Sequence, residues 1–318
     1  MDLPSYDQLP VKPNKPPKSS WGLWGDDDQL GTMNLLTEET AQRGLRCATA
    51  GKVFPLNWKL ELPDPPFYGR QAMKHTIFPI LDFAMDDYYD NFFPQGSSQW
   101  DALNHVSYPE YGYYNGRTPQ DFTGQEGNKN GVEHLARRGI VSRGVLLDMP
   151  RYLATQGREV DGGETVEFSV QDLEGAREAA GITYEVGDIL LVRTGWLAWY
   201  EDASQEQRQA LAEDSLNRLK TPGLAAGEDV ARYLWDAHFA GVVADNPAFE
   251  AWPHPLELDK YLHYRLLPLL GIAIGELWYL EQLARDCAQD GVYEFLLTSA
   301  PLNKLGGMGS PANALAIK

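Results

Sequence analysis

The sequence predicts an α/β fold, a single domain on a mixed sheet, and three observations carry that expectation. Short continuous apolar runs at Gly144–Asp148, Gly187–Arg193 and Ala240–Ala244 have the length and aliphatic content of strands buried on both faces. Helical patterns stand between these runs, the strand–helix–strand alternation of a parallel core. Further extended segments lie early and late, around Val53 and Tyr293, outside that alternation, so the sheet is expected to be mixed rather than purely parallel.

The elements follow in chain order. Residues 1–20 hold five prolines and three lysines with almost no large apolar residue, which reads as a flexible or wrapping arm; residues 21–318 form the domain. Thr37 followed by Glu38 and Glu39 predicts a helix start, with the helix running to about Gly44. Val53 to Leu60 suits a strand, and Pro55 places it at a sheet edge. His75–Phe78 is a second extended candidate. The stretch 107–127 reads as a long loop rich in aromatic residues and glycine, the kind that is usually functional. Gly131–Arg138 reads as a short helix. Ser169 caps a helix from Val170 to Ala180, ahead of Gly181. Helices are also expected over 204–220, Glu228–Ala237, Leu256–Leu267 and Leu280–Ala288. Strands are expected at Ile272–Ile274 and Tyr293–Thr298, with a glycine-rich loop over Gly306–Pro311.

Bulk composition narrows the function. The chain has 318 residues, 43% hydrophobic and 23% charged, enough for one large core. Nine tryptophans and sixteen tyrosines are more rings than a core easily buries, so some are expected to line a pocket or a subunit interface. The formal charge of −18 argues against nucleic acid or an anionic membrane as partner. The acid is partly clustered, at Asp26–Asp28 and between Asp82 and Asp90, and such runs ordinarily form solvated faces. Cys47 and Cys287 have no metal or redox spacing, which fits a reduced, cytoplasmic setting. No signal-peptide pattern opens the chain, and no run of about eighteen apolar residues occurs.

The chemistry concentrates in residues 95–105, where Gln95, Gln99, Asp101 and His105 recur at near-alternating spacing. Asp101 and His105 converge either on one helix face or across a turn. Should Asp101, His263 and Glu276 meet, they make a mixed nitrogen–oxygen ligand set suited to zinc or manganese with positions open for water. His105 is then free to move protons, its ordinary pKa of about 6.5 suiting the task. Each residue also has a bland reading: His263 as a solvated or capping group, His105 as a satisfied polar side chain beside a loop, Asp101 as a turn cap, Glu276 as an acceptor for backbone donors. No metalloprotease, serine-hydrolase or paired-cysteine motif is present, and Gly306–Gly309 reads as a tight turn.

Several stretches, taken in order, resemble the cyclase-like hydrolases that include bacterial kynurenine formamidase and isatin hydrolase. They are Trp24–Thr37, Gln99–His105, Arg138–Asp148, Gly187–Trp196, the residues from His263 through Gly271 and Gly275 to Glu281, and Pro301–Pro311; the likeness spans residues 21–317. It implies a swivelling β/β/α domain, assembly as a homodimer or homotetramer, and cleavage of amide or lactam bonds. The family motif His-x-Gly-Thr-His-x-Asp-x-Pro-x-His lays its aspartate on Asp101 and its last histidine, the proton shuttle, on His105. The distal metal-binding His and Glu fall on His263 and Glu276. The two early metal histidines fall on Gln95 and Gln99, the Gly-Thr on Ser97-Ser98 and the proline on Leu103. A carboxamide is a poor ligand for zinc or manganese beside imidazole, so the resemblance implies a single ion on Asp101, His263 and Glu276, or none.

The function expected is hydrolysis of an amide, lactam or lactone in a small aromatic substrate. Gln95 and Gln99 would serve as hydrogen-bond donors, and Trp100, Tyr108, Tyr111, Tyr113 and Tyr114 as an apolar wall. A metal-independent cyclisation, dehydration or isomerisation by Asp101, His105 and Glu276 is the alternative. A non-catalytic small-molecule binding protein is a third.

Overall fold

The computed structural model describes residues 3–253 and 260–318. The apolar runs do form a parallel core. In chain order the strands are β1 (Val53–Pro55), β2 (Lys74–Leu81), β3 (Ala84–Asp90), β4 (Gln99–Asp101), β5 (Ile140–Asp148), β6 (Glu167–Phe168) and β7 (Ile189–Arg193). They continue with β8 (Gly223–Leu224), β9 (Gly241–Ala244), β10 (Ala273–Glu276), β11 (Glu294–Ser299), β12 (Gly309–Pro311) and β13 (Ala314–Ile317). Nine of these make one sheet in the order β1-β13-β11-β5-β7-β9-β10-β4-β12. Strands β5, β7, β9 and β10 are parallel, and antiparallel strands flank them on both sides. The fold is thus a single α/β domain on a mixed sheet.

Both faces of the parallel core are covered, which is why its strands read as unbroken apolar runs. Val145, Leu147, Leu190, Val192, Val242 and Ile274 face a layer containing Leu153, Leu173, Val230 and Leu234. Their neighbours Leu146, Ile189, Leu191, Val243 and Ala273 face the other way, onto Trp100, Trp278, Phe295 and Leu297. A third cluster joins Trp58, Phe67, Trp196, Tyr200 and Trp252.

Local chemistry sets the element ends. Thr37 caps the helix Glu38–Cys47, its hydroxyl accepting from Thr40 N at 3.2 Å. Ser169 and Asp172 cap the helix Val170–Ala179 reciprocally. The early strand shrinks to Val53–Pro55 at the sheet edge, where Pro55 lacks the N–H a longer ladder needs. The helix expected over 204–220 is two pieces, Gln205–Glu213 and Ser215–Arg218. Asp214 leaves helical geometry and its carboxylate accepts from the Asn217 side chain at 2.8 Å, starting a new turn instead of continuing the old one. The first part of the expected helix Leu256–Leu267 lies outside the described residues. Its remainder is Leu262–Arg265 followed by a π-turn, Leu266–Leu270, that accommodates Pro268.

The described part of the proline-rich arm lies along the helix Glu228–Asp236. Tyr6 is buried there, its backbone N–H donates to Asp236 at 2.7 Å, and Trp235 Nε1 donates to Pro4 O at 2.9 Å. The first acidic cluster is only partly a solvated face. Asp26 and Asp27 are exposed partners of Lys12, Lys15 and Arg117, but Asp28 turns inward to accept from Asn34, Gly31 N and Tyr114.

One buried ion pair ties β5 to the start of β7. Arg143 Nε and Nη2 donate to the two oxygens of Asp188 at 3.0 and 2.6 Å, and both side chains are nearly inaccessible. Burial pushes the Asp188 carboxyl up, with Arg143 opposing it. Arg143→Ala leaves that carboxylate buried with the Glu185 N–H at 2.8 Å and, as the one cation among the described residues, Arg43 at 3.6 Å. Chemical denaturation is expected to show a loss of about 3 kcal/mol. A loss within about 0.5 kcal/mol, the range of ordinary surface substitutions, would show that the pair does not stabilise the fold.

Candidate metal centre and active site

The site forms where β4 joins the parallel core. In this strand Gln99 and Asp101 share one face and Trp100 takes the other. Trp100 goes into the core, fully buried, edge-on to Trp278 at 5.1 Å, with its Nε1 donating to Ser299 at 3.0 Å. It is therefore not the pocket wall expected of it: strand alternation sends it through the sheet. Tyr114 is likewise fully buried and donates to Asp28. Tyr108 and Tyr111 stack at 5.1 Å, and Tyr113 packs on Phe122.

Cross-strand register delivers the next residue. Gln99 pairs with Glu276, the last residue of β10, and Gln99 Nε2 donates to Glu276 Oε2 at 2.6 Å. On the other side Gly309 of β12 faces Asp101; a Cβ there would lie 2.6 Å from Gln95 Cγ, so only glycine leaves room for that side chain. Gln95 Nε2 donates to Asp101 Oδ1 at 2.7 Å and lies 2.9 Å from His105 Nδ1. His105 sits on the turn after β4, its N–H bonded to Ala102 O, and its side chain is 32% exposed. His263 comes from the helix Leu262–Arg265, directly ahead of the π-turn.

Gln95, Gln99, Asp101, His105, His263 and Glu276 thus all gather in one place. Asp101, His263 and Glu276 each offer one ligand atom, and the three atoms lie within 4.8 Å of one another. His263 Nε2 is 3.3 Å from Glu276 Oε1 and 3.8 Å from Asp101 Oδ2. All three residues are buried.

This donor set fits a divalent cation. Among the described residues Asp101 Oδ2 is buried with no hydrogen-bond partner, although its sister oxygen is satisfied by Gln95. A buried anionic oxygen without a partner is costly, and a metal ion removes the cost. The charge balance agrees. Burial lowers the His263 pKa, but Glu250 and Glu276 outweigh it and raise it well above the ordinary imidazole value. Burial pushes Glu276 up to about 7, with Asp101 adding to the rise and His263 opposing it. The pocket carries more negative charge than its own residues neutralise.

His105 differs. Burial lowers its pKa more than Asp101 raises it, and His263 and Arg70 add to the fall, so the neutral imidazole prevails at neutral pH.

Glu250 belongs to no pattern visible in the sequence. Its carboxylate is fully buried and lies 3.2 to 3.3 Å from His263 Nδ1. It stands six residues beyond the end of β9, on a turn where Asn246 Nδ2 donates to the carbonyls of Pro222, Phe249 and Glu250. Such a carboxylate fixes the Nδ1–H tautomer of a metal-binding histidine and points Nε2 at the ion. The one signal for it was position, since ligands gather beyond the C-terminal ends of parallel strands. Glu250→Gln is expected to weaken divalent-metal affinity by about 10- to 100-fold in a chelator competition. An unchanged affinity would remove Glu250 from the centre.

Comparison with known proteins adds to the geometry. A family model described as putative cyclase matches residues 52–251. A crystal structure described as a novel cyclase shares 36% identity, covering 94% of this chain and 97% of that one, with a TM-score of 0.81. Isatin hydrolase A from Labrenzia aggregata, bound to benzyl benzoate, shares 17% identity over 83% of this chain and 93% of its own, with a TM-score of 0.59. Isatin hydrolase A from Ralstonia solanacearum shares 20% over 83% and 91%, with a TM-score of 0.57. At those identities the isatin hydrolase likeness is one of fold. No curated protein matches the chain.

Proposed function

The chain belongs to the putative cyclase family, and from that premise we propose that it hydrolyses an amide, lactam or lactone bond of a small aromatic substrate. The observation that carries this reading is the convergence of Asp101, His263 and Glu276 around a buried carboxylate oxygen that has no partner among the described residues, with the partly exposed His105 beside it. These three residues would hold one divalent ion, zinc or manganese by their chemistry. Such an ion supplies Lewis acidity toward a substrate carbonyl and the attacking water.

The protein's own groups manage the protons. Hydrolysis removes a proton from water and delivers one to the departing nitrogen or oxygen. The amide hydrogens of Gln95 serve Asp101 Oδ1 and His105 Nδ1, so Nδ1 accepts and the imidazole proton sits on Nε2. Nε2 is 3.7 Å from Asp101, too far for a hydrogen bond, so the Nε2 proton passes to the leaving atom once Nδ1, released by Gln95, has taken the proton that water loses; the ring passes through imidazolium and ends neutral. Gln95 has both amide hydrogens engaged in this arrangement. Gln99 spends one on Glu276 and keeps the other for a developing oxyanion. Both glutamines act as donors to the carboxylates, which supports one ion per chain rather than two.

The gathering of Asp101, His105 and Glu276 at one place also suits a second reading, a metal-independent cyclisation, dehydration or isomerisation, since burial pushes the Glu276 carboxyl up toward the range where it exchanges protons near neutrality. Elemental analysis with a turnover panel separates the two. The hydrolase reading expects about one divalent ion per chain and hydrolysis that a chelator stops and added zinc or manganese restores. Metal far below one per chain, with turnover surviving the chelator, supports the second.

A further inference from the structure

A cationic side chain near this site has no ionic partner among the described residues. Tyr68 and Gly69 both adopt left-handed backbone conformations, with φ of 59° and 70°, turning the chain sharply just before Arg70. Tyr68 is anchored there: its N–H donates to Ser215 Oγ at 3.0 Å. The Arg70 guanidinium lies over the Tyr68 ring, 5.4 Å from its centroid. Its positive field reaches both Tyr68 and the imidazole of His105.

Arg70 is the one cationic side chain lining a cavity of about 220 Å³ whose wall also carries Asn91, Phe92, Phe93 and Gly96, the last adjoining Gln95; Glu61 and Asp64 line it too, neither within ion-pair distance of Arg70. Among the described residues its side chain forms no ion pair, in a chain whose formal charge is −18. Arginine presents a planar fork that matches a carboxylate, and the neighbouring phenylalanines suit a ring.

We infer that Arg70 is a specificity-determining residue that binds a carboxylate group carried by an aromatic ligand, making the site selective for small aromatic acids. The inference rests on reading the neighbouring His105 site as the hydrolytic centre. The carboxylate belongs either to the substrate or to the acid that hydrolysis releases, and the guanidinium recognises both alike.

Equilibrium binding of benzoate and of its neutral isostere benzamide tests this, using wild type, Arg70→Gln and Arg70→Lys, all metal-loaded. Benzoate is expected to bind wild type and to weaken by about tenfold or more in Arg70→Gln. Arg70→Lys, which keeps the charge and loses the fork, is expected to fall between, and benzamide to be indifferent to both changes. Benzoate affinity equal in wild type and Arg70→Gln, or no benzoate binding by wild type, overturns the inference. A folded variant is confirmed by its unchanged melting temperature, and Arg70→Lys carries the comparison should Arg70→Gln fail that check. Binding is read without turnover, so an absence of hydrolysis on an amide and lactone panel counts against the hydrolase reading alone. Where turnover is found, an Arg70→Gln rise in KM at constant kcat for an acid-bearing substrate assigns the carboxylate to the substrate. A change in product inhibition alone assigns it to the product.

Discussion

Asp101→Asn is expected to abolish stoichiometric metal binding and to lower kcat/KM by about a thousandfold, while the fold stays intact. The magnitude follows from the several kcal/mol of charge stabilisation a catalytic ion supplies, at about 1.4 kcal/mol per factor of ten. Asparagine keeps the acceptor that Gln95 donates to and removes the charge of the orphaned oxygen. Stability without metal should therefore hold or rise, because the change relieves repulsion among Asp101, Glu250 and Glu276 around His263. Chelator competition, turnover and thermal melting together check this. Turnover retained in a variant that has lost its metal would reverse the assignment.

His105→Ala is expected to lower turnover by about 10²- to 10⁴-fold, the range of general acid–base catalysis, with metal stoichiometry unchanged. His105 lies outside the candidate ligand set, and among the described residues the one hydrogen-bond contact of its side chain is with Gln95. The side chain is partly exposed on a turn, so little packing is lost. Loss of metal together with turnover would make His105 a ligand instead; unchanged turnover would remove it from the reaction.

How much of this was legible in the sequence depends on what kind of pattern each element carries. The parallel strands β5, β7 and β9 announced themselves because burial on both faces forces continuous apolar runs. The hairpin partner β3 did not. It is exposed on both faces and reads as an acidic cluster, so no alternation marks it. The helix Trp196–Asp202 was missed because Trp196, Leu197 and Tyr200 are all buried and leave little polar face to set a period. Strand β12 hid behind Gly309 and Pro311, turn-like residues, of which Gly309 is required by the space Gln95 takes.

The site followed the same logic. Residues on a single strand and its turn, Gln95 to His105, were visible as a constellation. Their meeting with His263 and Glu276 depends on β4 adding antiparallel to β10, a long-range pairing that no local pattern encodes; the resemblance to the cyclase-like hydrolases supplied it. Glu250 stayed invisible for the converse reason. It belongs to no motif, and only the turn held by Asn246 carries it to His263.

The proposed centre holds one ion per chain on Asp101, His263 and Glu276, with Gln95 and Gln99 serving as donors. An anomalous-difference map from crystals of the protein as purified tests it most directly. A single peak among those three side chains, with none beside Gln95 and Gln99, is the predicted result. No peak there in an active enzyme, or a second peak ligated by the two glutamines, would contradict it.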